Sequence, residues 1–120
     1  MEQERRRAPR VSERISIAVT DAKTELRTET TNLSAAGAYC ILDRFIPPMT
    51  KLQLDLELPN GSRRVRIRCT GVVVRVEPVV AEGQLGRYQT AIFFSDLSER
   101  DRAAISQFVQ RRLSASPATD

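Results

Sequence analysis

Leu52-Gln53-Leu54-Asp55-Leu56-Glu57-Leu58-Pro59-Asn60-Gly61 is the stretch whose reading decides the fold. Its leucines alternate with Gln53, Asp55 and Glu57 at a period of two, the pattern of a strand with one buried face. A helix would scatter the same leucines around its whole circumference. Asn60-Gly61 then falls between two alternating runs, which is a strong hairpin signal. The return run places Val65, Ile67 and Cys69 inward and Arg64, Arg66 and Arg68 outward. Beyond Gly71 the expected parity changes, with Val72, Val74 and Val76 inward and Arg75 outward. A bulge near Gly71 would restore the register and bend the strand as a small barrel needs. The arginine row has two readings, a face for nucleic acid or a solvated row paired across the hairpin with Asp55 and Glu57. The second is the ordinary one.

Upstream of this hairpin the same alternation recurs. Ile15, Ile17 and Val19 share one face of a strand, and Asp21-Ala22-Lys23 supplies a turn. Residues 24–33 form a threonine-rich second strand with Leu26, Thr28 and Thr30 on one side. Glu25, Arg27 and Glu29 occupy the other side. Residues 39–42 make a short third strand, which Pro47-Pro48 keeps from continuing. Downstream, residues 77–86 read as a loop and residues 87–95 as the last strand. Ser98-Glu99-Arg100-Asp101 resembles a capping box, and Ala104, Ile105, Phe108, Val109 and Leu113 recur at helical spacing behind it. The helix therefore docks one face on the sheet.

With 120 residues the chain is large enough for one core and too small for two. The absence of histidine and the presence of only two cysteines exclude a typical zinc site and every Ser-His-Asp or Cys-His arrangement. Cys40 and Cys69 lie in apolar strand-like contexts, as buried free thiols do. Asp55 and Glu57 lie on a solvated strand face, so the reading is a binding protein and not an enzyme. A net charge of +4 favours anionic partners without demanding a polymer. No apolar run approaches the roughly 20 residues of a membrane span, and no signal-peptide core is present. The expected location is the cytoplasm.

Two polar stretches stand outside this scaffold. Residues 1–14 carry five arginines and three glutamates and little apolar content, so they are expected to stay mobile until something binds them. Pro9 disfavours a helix across the arginines. The second stretch is Thr31-Asn32-Leu33-Ser34-Ala35-Ala36-Gly37, where short polar side chains can bond backbone or a ligand edge. Gly37 there suits either a positive φ or a close approach by another group. Asn-x-Ser-x-x-Gly alone also fits a plain hairpin corner.

Together, Arg6-x-x-x-Arg10 and Asn32-x-Ser34-x-x-Gly37 resemble the signature of the PilZ domain family, Arg-x-x-x-Arg followed by Asp/Asn-x-Ser-x-x-Gly. Residues 93–98, Phe-Phe-Ser-Asp-Leu-Ser ahead of a helix, are also similar to that family. Gln89-Thr90-Ala91 departs from it, since many relatives carry glycine there. The resemblance implies a mainly β fold: a six-stranded antiparallel PilZ-type barrel with a C-terminal α-helix and a flexible N-terminal arm. The expected divisions are residues 1–10 for the arm, 11–113 for barrel and helix, and 114–120 for a disordered tail.

The resemblance also implies a ligand, cyclic di-GMP, and no cofactor. Guanidinium groups suit its phosphates, its guanine O6 and N7 edges and its purine faces. By the same resemblance Arg6 and Arg10 would take a guanine edge and a phosphate. Asn32 and Ser34 would bond the other guanine, and Gly37 would let the turn approach closely. Arg5 resembles residues of family members that bind a stacked ligand dimer. The leading expectation is a receptor module that orders its arm on binding and signals to an unidentified protein partner. The alternatives are a degenerate PilZ-like interaction module that binds no nucleotide and a basic barrel for RNA or DNA. The last is disfavoured by the lack of an aromatic stacking platform.

Overall fold

The computed structural model describes residues 9–80 and 85–114. The elements run β1 (Arg10–Val11), β2 (Ser16–Asp21), β3 (Thr24–Ser34), β4 (Gly37–Leu42), β5 (Lys51–Asn60), β6 (Arg63–Pro78), β7 (Tyr88–Asp96) and α1 (Glu99–Ser114). The pairing order is β1-β3-β2-β5-β6-β7-β4, and β3 also pairs with β4. The long strands β2 to β7 therefore close into a six-stranded barrel in which every pairing is antiparallel. Closure leaves no free edge among them. The two-residue β1 is an addition to β3, pairing Arg10 with Ser34 and Val11 with Leu33.

The leucine run behaves as its period dictates. Leu52, Leu54, Leu56 and Leu58 are all buried, as are Ile17 and Val19 on β2 and Ile67 and Cys69 on β6. Fully burying each leucine contributes about 1.5–3 kcal/mol, so this one strand supplies a large part of the driving force. Asn60 pairs with Arg63 across a Gly61-Ser62 loop. Gly61 has a φ of 65° and Ser62 has no positive φ, the pattern of a type II′ turn. Burial pushes the Cys40 thiol up to about 12 and the Cys69 thiol up to about 11, so both behave as small hydrophobes.

The inward parity on β6 runs on past Gly71. Gly71 and Val73 are buried while Val74 is 55% exposed, so of the expected inward set of Val72, Val74 and Val76 only Val76 packs against the core, with Arg75 outward as expected. Register shifts against β7 do occur, between Thr70 and Gly71 and again between Val73 and Arg75. The second shift is the one that changes which side chains face out. Gly71 is needed for space: a Cβ there would lie 2.6 Å from both Leu54 Cδ1 and Ile92 Cγ2.

Helix α1 starts where Ser98 caps it, its Oγ accepting the Asp101 amide at 3.0 Å. Ile105, Phe108 and Val109 are buried against the barrel. Leu113, expected on the same face, is 44% exposed. No helix among the described residues is long and apolar enough to cross a membrane.

Candidate functional site

Val11 is the residue that aims the candidate site. It is buried at the start of the chain's first pairing, opposite Leu33, so alternation turns its neighbour Arg10 to the outer face. A second tie holds this approach in register. Buried Thr30 donates its hydroxyl to the Glu13 carbonyl at 2.6 Å and accepts the Ile15 amide at 3.0 Å. Strand β3 thus fixes the incoming backbone on both sides of residues 12–14.

From that position the Arg10 guanidinium spreads over three neutral acceptors. Nε donates to Asn32 Oδ1, Nη1 donates to Ser34 Oγ at 3.0 Å, and Nη2 reaches the Gly37 carbonyl at 3.4 Å. The flat guanidinium also lies over the Tyr39 ring, its carbon 5.0 Å from the centroid. Such a contact is worth about 0.5–1 kcal/mol at an exposed site. Desolvation by these neighbours pulls the Arg10 pKa below its ordinary value, with the Tyr39 hydroxyl acting the other way. An arginine nonetheless stays charged, so the corner presents a fixed cation whose three acceptors carry no formal charge.

Ser34 does more than receive Arg10. Its Oγ also accepts the Ala36 amide at 3.0 Å, which shapes the turn between β3 and β4. The turn is then anchored from two sides. The Phe94 amide donates to the Ala36 carbonyl at 2.9 Å, and Arg102 of α1 donates to the Ala35 carbonyl at 3.1 Å. The helix and the last strand therefore hold the wall that Arg10 leans on.

Gly37 resolves the two roles left open for it. Its φ is not in the left-handed region, so no conformational strain demands glycine. The demand is spatial: a Cβ on Gly37 would run into the carbonyl oxygen of Ile92 on β7. Backbone comes too near for any side chain.

The structure thus brings Arg10, Asn32, Ser34 and Gly37 into one corner although they are up to 27 residues apart. Arg5 and Arg6 lie outside the described residues. Two side chains that the motif does not contain also stand on this face. Tyr39 supports Arg10 directly, and Arg75 donates from Nη2 to the Tyr39 hydroxyl at 3.2 Å. Tyr39 had a legible signal, since it falls two residues after Gly37 with the same outward parity. Arg75 did not, because its facing depends on a bulge.

The arginine row of the hairpin is a different environment. Arg66 makes a forked contact with Asp55 at 2.7–3.1 Å, Arg64 bonds Glu57 at 3.0 Å, and Arg68 lies 3.5 Å from Asp55. The expected cross-hairpin pairing is what these residues do.

A family model described as the PilZ domain matches residues 4–111. Among curated proteins none matches. The fold is similar to the Bacillus subtilis inhibitor of motility MotI/DgrA, with a TM-score of 0.82, 22% identity, and coverage of 91% of this chain and 51% of that one. It is also similar to Escherichia coli YcgR in complex with c-di-GMP, at TM-score 0.71 and 16% identity over 95% of this chain and 49% of that one. The isolated PilZ domain of YcgR, likewise with c-di-GMP, gives 0.65 and 13% over 97% and 99%. The chain spans about half the length of the first two proteins.

Proposed function

The chain belongs to the PilZ domain family, and on that premise we propose that it is a receptor module for cyclic di-GMP. One observation carries the reading: Arg10 already converges on Asn32, Ser34 and Gly37, with hydrogen bonds to the first two. A cation and two neutral polar side chains in one outer corner suit a ligand that is anionic, flat and rich in acceptors. Guanine O6 and N7 can take a guanidinium fork, and a phosphate can take a charge-assisted bond. Asn32 and Ser34 are held in place by Arg10 before any ligand arrives, which lowers the ordering cost on their side.

Arg6 would then close over the ligand from the arm and share a guanine edge and a phosphate with Arg10, while Arg5 would serve a stacked second ligand molecule. Fixing each arm residue costs about 1–2 kcal/mol, which keeps the affinity moderate. The ordered arm would be the signal that a partner protein reads. The family resemblance in the arm, and not geometry, supports this step.

Isothermal titration with cyclic di-GMP, GTP and a short oligonucleotide tests the proposal. Saturable binding of cyclic di-GMP alone is the expected result. Binding of none of the three would favour the degenerate interaction module. Binding of the oligonucleotide alone, weakened by Arg64→Ala, would move the function to the arginine row.

A further inference from the structure

The outer face beside Arg10 is organised as a lateral row. Asn32 on β3 pairs with Tyr39 on β4, Tyr39 pairs with Ala91 on β7, and Ala91 pairs with Arg75 on β6. At about 4.8 Å between neighbouring strands, three steps separate the backbones of Asn32 and Arg75 by about 14 Å. The row therefore runs polar, aromatic, small, cationic.

Arg75 reaches this row only because β6 is bulged. Val73 pairs with Ile92, and an unbroken register would put Val74 against Ala91 and Arg75 against Thr90. Thr90 is fully buried, so an unbroken strand would aim the guanidinium into the core. The shift between Val73 and Arg75 instead sets Arg75 beside Ala91 and leaves Val74 as the extra residue. Bulges concentrate where a side chain must be re-aimed. The cost is visible, since Val74 becomes 55% exposed. The benefit to packing is not: Arg75 contacts Tyr39 at 3.2 Å and Glu77 at 3.8 Å, both at the surface. Exposed ion pairs of this kind contribute little to stability.

Tyr39 links the two cations. Arg10 covers its ring and Arg75 bonds its hydroxyl, so one phenol spaces two guanidinium groups on a common face. Between Tyr39 and Arg75 the floor is the methyl group of Ala91, and one outward step along β7 stands Phe93, 50% exposed. Ala91 itself is only 6% exposed, so what this face offers a flat group is the Arg75 guanidinium and the Tyr39 and Phe93 rings.

We propose that the binding surface extends along this row, with Arg75 as a second ligand-contacting cation and Tyr39 as the residue that positions both arginines. The inference rests on the cyclic di-GMP reading above and deepens it. Arg75 donates to an acceptor on the far half of the ligand, a phosphate oxygen or guanine O6 and N7, while Arg10 holds the near half. A mononucleotide presents only one of these halves. Arg75 therefore contributes selectivity for a two-headed ligand.

Titration of cyclic di-GMP and GMP into wild type, Arg75→Ala, Arg75→Lys, Tyr39→Phe and Arg64→Ala tests this. Arg75→Ala is expected to weaken cyclic di-GMP about tenfold or more with an unchanged melting temperature. Arg75→Lys should recover part of that loss, and the preference over GMP should narrow in Arg75→Ala. Tyr39→Phe should lose less than Arg75→Ala while keeping the fold, and Arg64→Ala should titrate like wild type. Wild-type affinity and selectivity in Arg75→Ala would overturn the inference while leaving the receptor reading intact. A wild-type protein that binds no cyclic di-GMP would overturn both.

Discussion

Arg66 and Arg10 project outward from the same barrel, yet one points its fork at a carboxylate and the other at neutral oxygens. Arg66 and Asp55 share a bidentate contact, and Arg64 and Glu57 make a single hydrogen bond further along the hairpin. Arg10 instead meets Asn32, Ser34 and the Gly37 carbonyl, with Tyr39 beneath it. On the hairpin the positive charge is cancelled where it stands. At the corner no carboxylate among the described residues cancels it, and four neighbours hold it in place. Residues 5–10 and residues 63–68 each hold four arginines in six positions, so counting charges does not tell the two regions apart. The nature of the acceptor separates a solvated row from a site that can receive an anion.

The comparison breaks most violently at Gly37. Gly37→Ala adds one methyl group without demanding any change of φ, and that methyl has to displace the backbone of β7. Overpacking against a backbone that cannot yield is expected to cost about 1–3 kcal/mol and to abolish ligand binding with it. Urea denaturation of the variant measures the first effect. Wild-type stability would mean that β4 and β7 separate easily, and the corner would no longer count as a rigid wall.

Arg10→Ala is the next largest change, and it falls on affinity more than on folding. Loss of a charge-assisted bond worth about 1.5–3 kcal/mol should weaken cyclic di-GMP ten- to a hundredfold. Circular dichroism should stay native, because Val11 and not Arg10 anchors β1. Unchanged affinity would remove the distinction between the two arginine faces.

Arg66→Ala is the matched control on the hairpin. An exposed pair contributes about 0–1 kcal/mol, so the stability loss should be within that range and ligand affinity should not move. A large affinity loss here would reverse the comparison.

The smallest effect is a pH dependence that belongs to the hairpin alone. The hydrogen bond from Arg66 holds the Asp55 carboxyl below its ordinary value of 3.8. A depressed carboxyl stabilises the fold above that ordinary value, and the contribution is lost as pH falls through the folded-state value. Thermal melts taken below about pH 4 should therefore fall less steeply in Asp55→Asn than in wild type. Arg10 has no carboxylate partner among the described residues and should add nothing to that acid slope.

Much of the scaffold could be read directly because it follows from a period of two. Leu52 to Leu58, Ile15 to Val19 and Val65 to Cys69 face inward as their alternation requires, and Ser98 caps the helix that Ile105, Phe108 and Val109 dock. Alternation is a local property, and local properties survive in a string of letters. The motif residues of the corner were legible for another reason, the resemblance that pairs Arg10 with Asn32, Ser34 and Gly37. Arg5 and Arg6 rest on that resemblance still.

Three features waited for the tertiary structure. Gly37 looked equally suited to a turn conformation or to a close approach, and only the position of the Ile92 carbonyl decides for the second. The change of parity on β6 was assigned to Gly71, but it happens at Val73 to Arg75, because the place of a bulge depends on how two strands from distant parts of the chain pair. The same pairing sets Asn32, Tyr39, Ala91 and Arg75 in one line across four strands. Those residues span 59 positions between Asn32 and Ala91, and nothing in their own neighbourhoods says that they meet. The sequence determined which residues turn inward, through spacing alone. The closed sheet decided which outward residues stand side by side, because register between strands is a contact between segments and not a property of either one.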